Sequence, residues 1–362
     1  MRIAIDISQS VYSTGVAVYT REFTRALVTH FPNNEYVLYG GSLRKQAELR
    51  EYIDSLPNNS CIIPVVTGIS PSIANVLWNK TRAFSIDPLI GKCDILHTSD
   101  WVEPKSKSKK VTTIHDFAPI KFASDTHPKI ADVHKRKLEL VKQESAGVIV
   151  PSESTKKDAI DFGVKKELLH VIPEAPQKIY KKTSKNDVLE VTNKYRITGP
   201  YVLAIGTAKR KNLTRTISAF KQIKNSTDMA TLVVVGENNS EYQQEDALFL
   251  GFVPDSDLSK IMSGAEMLIY ASLYEGFGLP ILEAFSVGCP VVTSNVSSMP
   301  EVSGKAAVLV NPENVNSISK GITRTLKERD KLIEKGYIEL KKYSWKNNAS
   351  KTMDLYKYIT QQ

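Results

Sequence analysis

The 362-residue chain is predicted to be an α/β protein with two doubly wound parallel-sheet domains, and three observations carry that expectation. The length exceeds what one hydrophobic core comfortably organises, so two domains are expected. Short apolar runs alternate with helix-periodic stretches from end to end, the pattern of a parallel sheet wrapped by helices. The alternation is interrupted once, at Pro173-Glu174-Ala175-Pro176 and the lysine-rich Lys178–Lys185, and then restarts.

Before the interruption the apolar runs are Arg2–Ile7, Glu35–Tyr39, Ile62–Val66, Ile95–His97, Lys110–Ile114, Gly147–Val150 and Leu169–Ile172. Helical spacing covers Gly15–His30, where Tyr19, Phe23, Ala26 and Leu27 share a face, and Pro128–Ser145. After it, strands are expected at Tyr201–Ile205, Thr231–Val235, Leu248–Leu250, Met267–Tyr270, Pro290–Thr293 and Ala307–Val310, with a helix over Leu213–Lys224. Lys178–Lys185 reads as a linker. A last helix from Trp345 to Ile359 follows Ser344, a suitable N-cap. Ligands of open α/β sheets sit off the carboxyl ends of strands, so both domains are expected to direct functional loops into a central cleft.

Composition is that of a globular protein, with 41% hydrophobic and 24% charged residues. No run approaches the roughly 18–20 apolar residues needed to span a bilayer. Met1–Ile7 reads as a strand rather than a signal peptide, and Cys61, Cys93 and Cys289 give neither a disulfide framework nor zinc spacing. These features point to the cytoplasm. The net charge of +9 is shared, with +4 over residues 1–178 and +5 over the rest. Two clusters stand out: Lys105, Lys107, Lys109 and Lys110, then Lys135, Arg136 and Lys137. They read as solvated surface, or as a contact with anionic lipid headgroups or an anionic acceptor. No nucleic-acid-binding signature accompanies them.

The most informative segment is Tyr274-Glu275-Gly276-Phe277-Gly278-Leu279-Pro280-Ile281-Leu282-Glu283. Glycines precede a proline at the expected helix start, leaving backbone N–H groups and the positive end of a helix dipole for an anion. The carboxylates of Glu275 and Glu283, eight positions apart, are suited to accept hydrogen bonds from hydroxyls. A phosphate bracketed by hydroxyl-rich groups describes a sugar nucleotide. Arg210 and Lys211 follow a strand and a Gly206-Thr207 turn, where cations can neutralise a departing diphosphate. Gly15 lies in the small-residue loop Ser10–Val16, and its lack of a side chain permits close approach of a phosphate. His115 and Asp116 end an apolar strand. Asp255-Ser256-Asp257 resembles a metal-binding Asp-x-Asp, yet it precedes an apolar-periodic helix and is read as helix capping.

With Gly206–Leu213, Gly251–Pro254, Gly288–Val292 and Met299–Val302, the Glu-x7-Glu segment resembles the retaining glycosyltransferases of family 4, which adopt the GT-B fold. Asp6, Gly15-Val16, Tyr19-Thr20, Ile114–Asp116 and Val150–Ser152 extend the match in order through the first half. The resemblance implies two Rossmann-like domains. Residues 1–177, joined by the terminal helix 345–362, would bind the acceptor, and residues 178–344 the nucleotide sugar. It implies that Glu275, His115, Arg210 and Lys211 serve at the reacting sugar and the leaving diphosphate. Gly15, Thr207, the backbone of Gly276, Phe277, Gly278 and Leu279, and the ribose-binding Glu283 would hold the donor, with Phe252, Val253 and Pro254 bracketing the base. Thr207 stands where the family often has Arg, and Arg210 would supply that charge.

The expected reaction transfers a hexose to a hydroxyl of a glycan or lipid-linked saccharide, with no covalent enzyme nucleophile, cofactor or metal. GDP-mannose is the first donor candidate, with UDP-glucose and UDP-N-acetylglucosamine the others. Two alternatives remain at this point: a nucleotide-sugar epimerase or hydrolase of the same architecture, and a non-catalytic sugar-binding protein. Oligomeric state is not legible in the sequence.

Overall fold

The computed structural model describes residues 1–57, 60–98, 101–224, 231–237 and 247–362. The chain divides into two compact units, Met1–Glu174 with Ser344–Gln362, and Ala175–Tyr343.

The first unit holds strands β1 (Arg2–Asp6), β2 (Glu35–Gly41), β3 (Ile62–Thr67), β4 (Ile95–Thr98), β5 (Lys109–Thr113), β6 (Gly147–Val150) and β7 (Leu169–Val171). They form one sheet in the order β3-β2-β1-β4-β5-β6-β7. All its pairings are parallel, and Ile3 lies between Tyr36 of β2 and Ile95 of β4. The second unit holds β8 (Tyr201–Ile205), β9 (Thr231–Val235), β10 (Ala247–Phe249), β11 (Leu268–Tyr270), β12 (Val291–Ser294) and β13 (Ala307–Val310). Its sheet is also parallel, in the order β10-β9-β8-β11-β12-β13. The fold is therefore two Rossmann-like α/β units. Strand ends shift by a residue in several places, where the last ladder bond outruns or falls short of the apolar run.

Each strand feeds two cores because successive side chains point to opposite faces. In the second unit Leu203, Val233, Leu268 and Val291 enter one cluster, while Val202, Ala204, Leu232, Val234, Ile269 and Val292 enter the other. In the first unit Ile3, Ile5, Tyr36, Leu38 and Ile95 face one side, and Ala4, Val37, Tyr39 and Leu96 the opposite side.

The terminal helix Trp345–Thr360 is part of the first unit. Ser344 caps it by accepting from the Asn347 N–H at 3.1 Å. Ala349, Met353, Tyr356 and Ile359, at helical spacing, complete the core above β1 and β4. Asn348 donates to the Pro173 carbonyl at 2.9 Å, tying the helix to the end of β7. A Cβ added at Gly147 would stand 2.7 Å from Cδ1 of Ile359. Gly147→Val is therefore expected to destabilise the first unit by about 1–3 kcal/mol, as overpacking does. Chemical denaturation followed by tryptophan fluorescence reads this, since Trp78, Trp101 and Trp345 all belong to that unit.

Three readings from the sequence need correction. Residues 178–184 are irregular and Lys185 already opens the helix Lys185–Lys194, but the stretch is bound along the helix Asp255–Gly264 rather than forming a free linker. Tyr180 is buried and donates to Asp255 at 3.2 Å, and Ser259 donates to the Ile179 carbonyl at 3.0 Å. Asp255 and Asp257 lie in the first turn of that helix, where its dipole favours them, but neither caps it: the N-cap is Pro254. Asp255 also accepts from Gln177, and Asp257 accepts from Lys194 and the Tyr195 hydroxyl. Finally, the basic clusters are not all surface. Lys110 is buried between Glu144 and Glu103, and Lys137 is fully buried, because helical and strand periodicity turns these two inward. No helix among the described residues is long and apolar enough to cross a membrane.

Candidate active site

In the second unit the site residues gather at the carboxyl ends of β8 and β11. These neighbours form the switch point where the strand order reverses. Beyond β8, Gly206 takes φ +90° and Asn212 φ +61°, which turn the chain sharply enough to bring Arg210 and Lys211 over β11. Asn212 holds this turn by donating to the carbonyls of Ala271 and Pro312 at 3.0 and 2.6 Å.

The Glu275 carboxylate is the focus. It is 7% exposed, with Arg210 at 2.7 Å from one oxygen and Lys211 at 2.7 Å from the other. Lys211 also donates to the Tyr270 hydroxyl at 2.8 Å, and Arg210 to the Tyr274 carbonyl at 3.3 Å. Burial alone would raise the Glu275 pKa, but the adjacent Lys211 and Arg210 charges outweigh it and hold the pKa at about 2. Two cations around one carboxylate leave a local excess of one positive charge, in a setting with little water to screen it.

The backbone after Glu275 is fastened from the opposite side. Ser297 and Ser298 donate to the Glu275 carbonyl at 2.6 and 2.9 Å, and Ser298 also to the Phe277 carbonyl at 2.7 Å. Gly278, with φ +108°, is the N-cap of the helix Leu279–Val287, and Pro280 occupies its first turn. The N–H groups of Phe277, Gly278 and Leu279 have no acceptor among the described residues, and the helix dipole points through them. Glu283 is buried in the second turn of this helix. Burial raises the pKa of the neighbouring Tyr180 hydroxyl, and the Glu283 charge raises it further. Thr207 donates to the Glu237 carbonyl at 3.0 Å. Phe252 is 72% exposed and Pro254 is exposed, but the Val253 side chain belongs to the core and offers a ligand only its backbone.

In the first unit Gly15 opens the helix Gly15–His30, behind Thr14, which caps it by accepting from the Ala17 N–H at 3.2 Å. Space beyond Gly15 is open, with nothing within 4 Å of an added Cβ. His115, just past β5, bonds through Nδ1 to Glu174 at 3.0 Å and meets the Tyr19 ring edge-on at 4.6 Å. An ionised carboxylate only accepts, which assigns the ring proton to Nδ1. Beneath lies a buried chain: the Tyr19 hydroxyl bonds Thr113 at 3.1 Å, Thr113 bonds His97 at 2.9 Å, and His97 bonds Tyr356 of the terminal helix. Burial, reinforced by the Lys137 charge, pushes the His97 pKa down to about 3, so this imidazole stays neutral near pH 7. Asp116 accepts from the Ala118 N–H at 2.8 Å in a local turn.

Sequence reasoning passed over Glu174, the Thr113–His97–Tyr356 chain, and Ser297 and Ser298. Glu174 stands just beyond β7 and shares the strand-end position that singled out His115. The serines carry no comparable signal, because only the loop geometry after β12 brings them under the Glu275 peptide.

Two family models cover most of the chain: "Glycosyltransferase Family 4" over residues 13–175 and "Glycosyl transferases group 1" over residues 190–342. The chain is 32% identical to the O-antigen chain mannosyltransferase B of Escherichia coli, over 96% of each protein. It belongs to the GT-B glycosyltransferases. Sucrose-phosphate synthase of Thermosynechococcus elongatus shares its fold at TM-score 0.75 and 18% identity, covering 99% of each chain. The Anabaena protein HepE, solved in complex with UDP-glucose, does so at TM-score 0.68 and 16% identity, covering 98% of this chain and 100% of that one. At such identities these two likenesses speak for the fold alone.

For this glycosyltransferase, Glu174→Ala is expected to let the His115 ring drift and to lower kcat by up to about 10²-fold, the cost typical of a small misplacement. Glu174→Gln, whose carbonyl still accepts from Nδ1, should keep most of the rate. Steady-state kinetics of the two variants check this.

Proposed function

We propose that this glycosyltransferase is a retaining hexosyltransferase, with GDP-mannose its first candidate donor and UDP-hexoses the alternatives. The acceptor is a hydroxyl of a glycan or lipid-linked saccharide. The observation that carries the reading is the Arg210–Glu275–Lys211 cluster beside the open N–H groups of Phe277, Gly278 and Leu279. The relatives named as mannosyltransferases favour mannose.

In this reading the second unit holds the donor. The N–H groups and helix dipole meet phosphate and sugar hydroxyls, Glu283 accepts from the ribose hydroxyls, and Phe252 and Pro254 flank the base. Arg210 and Lys211 stabilise the charge that grows on the departing diphosphate, which is where most of the rate is gained. Glu275 keeps both cations in place and faces the reacting sugar, where its negative charge favours oxocarbenium character. The acceptor hydroxyl attacks from the face the leaving group departs, and a phosphate oxygen of that group takes its proton. His115 serves the transferred sugar, and Gly15 allows close approach of the phosphate. Because fixed cations meet the leaving group, turnover is expected to survive chelation of divalent metal. Peripheral contact with an anionic membrane would rest on the exposed Lys105, Lys107, Lys109, Lys135 and Arg136.

The test is a thermal-shift panel of UDP, GDP and ADP, followed by turnover of the matching nucleotide sugars with EDTA present. GDP is expected to raise the melting temperature most and GDP-mannose to turn over. No stabilisation by any of the three nucleotides, together with no turnover, overturns the reading.

A further inference from the structure

His115 is held at two points, and the terminal helix Trp345–Thr360 stands behind both. At the first, Nδ1 bonds Glu174 at 3.0 Å, and Asn348 of the helix donates to the carbonyl of the adjacent Pro173 at 2.9 Å. At the second, the ring meets that of Tyr19, with centres 4.6 Å apart, and Trp345 meets the same Tyr19 ring at 5.7 Å. The Tyr19 hydroxyl is in turn tied through Thr113 and His97 to Tyr356, further along the helix. All of these residues belong to the first unit.

Hydrogen bonding gives this chain one direction. Tyr356 is fully buried, and among the described residues its hydroxyl bonds His97 Nδ1 alone. A buried donor without an acceptor is costly, so the hydroxyl donates to Nδ1 and the imidazole proton sits on Nε2. Nε2–H then donates to Thr113, and Thr113 to Tyr19. The proton left over is that of Tyr19, which lines a cavity of about 20 Å³ with Asp6, Thr20 and His115, room for one water. Burial holds the His97 pKa at about 3, so the neutral imidazole keeps this arrangement near pH 7. Phe23 packs between the links, stacked on the Tyr19 ring at 5.2 Å and 4.8 Å from the His97 ring. A buried network satisfied in this way fixes the orientation of each member.

We infer that Tyr356 is a positioning residue for the transfer reaction: its hydroxyl, acting through His97, Thr113 and Tyr19, fixes the ring of His115. The last helix of the chain thereby supports the site as well as the core. It reaches the ring edge through Tyr19 and steadies the Glu174 side through Asn348. The inference rests on the reading that His115 serves the transferred sugar, but the hold on the ring is measurable without turnover.

The experiment is a double-mutant cycle of Tyr356→Phe and His115→Ala in the full chain, read in kcat with GDP-mannose and with UDP-glucose, alongside long-range proton–nitrogen NMR of the histidine rings. Phenylalanine keeps the ring in the core and deletes only the hydroxyl. Tyr356→Phe is expected to lower kcat about tenfold with the donor KM unchanged, part of the cost of a small misplacement. On the His115→Ala background it should change kcat by less than about twofold, because the residue it acts on is gone. The spectra should show His97 protonated on Nε2 in wild type and a shifted His115 ring in Tyr356→Phe. Thr113→Val cuts the chain in the middle and should reproduce the loss, and Thr113→Ser should recover most of it. An equal effect of Tyr356→Phe in both backgrounds overturns the inference, as does a lowered melting temperature with kcat unchanged. An unmoved His115 ring overturns it too. His115→Ala at the wild-type rate defeats the role of His115 and this inference with it. A shifted ring with no turnover of either donor supports the chain of contacts and defeats the donor reading.

Discussion

Glu275→Gln is expected to lower kcat by about 10²–10³-fold, the loss typical when one preorganised group at a charged transition state is removed. The variant keeps the shape and hydrogen-bonding reach of the side chain but deletes the charge between Arg210 and Lys211. Nucleoside diphosphate binding should survive or tighten, because the two cations lose their resident anion. A fall in kcat with retained GDP affinity is the expected split. Equal kcat in variant and wild type sinks the role given to Glu275.

The same substitution has a signature in stability. The Glu275 pKa is depressed from the ordinary 4.5 to about 2, so its charged form is favoured by folding. A depressed acid contributes stability that is fully present above the unfolded value, and that stability is lost as the pH falls from about 4.5 towards 2. The shift corresponds to about 3 kcal/mol. Wild type should therefore exceed Glu275→Gln in stability by that order near neutrality, with the gap closing in acid. All three tryptophans lie in the other unit, so circular dichroism is the suitable probe of denaturation.

Lys211→Ala is the second large effect. The ammonium donates to both Tyr270 and Glu275, and the stem packs on Gly206, whose added Cβ would stand 2.9 Å from Cγ of Lys211. Its loss is expected to cost about 10²–10³-fold in kcat. Arg210→Ala should cost a comparable amount. The double variant should lose less than the product of the two, because both cations contact one carboxylate and, in the proposed reaction, would meet one leaving group. A double-mutant cycle in kcat/KM measures this coupling. Strict additivity would show that the cations act at separate places.

Much of this was legible in the chain. All thirteen strands of the described residues follow the apolar runs, because a parallel strand buried on both faces has to be apolar throughout. The helix at Leu279 follows from Gly278 and Pro280, whose backbone preferences are local. What periodicity hides is the direction of individual charges. Lys110 and Lys137 read as surface, yet each falls on the inward face of its element, and Asp255 reads as a cap although its partners stand 75 and more residues earlier. Glu174 looked like punctuation before a linker, and only the sheet order that sets β7 beside β6 and β6 beside β5 brings it within 3.0 Å of His115.

By itself, then, the sequence determined the class of fold, the order of its strands along the chain, and the loops that carry the chemistry. These depend on alternation, glycine, proline and residues within one turn of each other. Tertiary structure decided the chemistry of the charges. The sequence presents Glu275 and Glu283 as equivalent carboxylates eight positions apart. Folding places Arg210 and Lys211, more than sixty residues earlier, at 2.7 Å from the first, and buries the second within a helix. The reason is physical: secondary structure follows from preferences of near neighbours, whereas desolvation and Coulomb energy depend on every group the fold brings close.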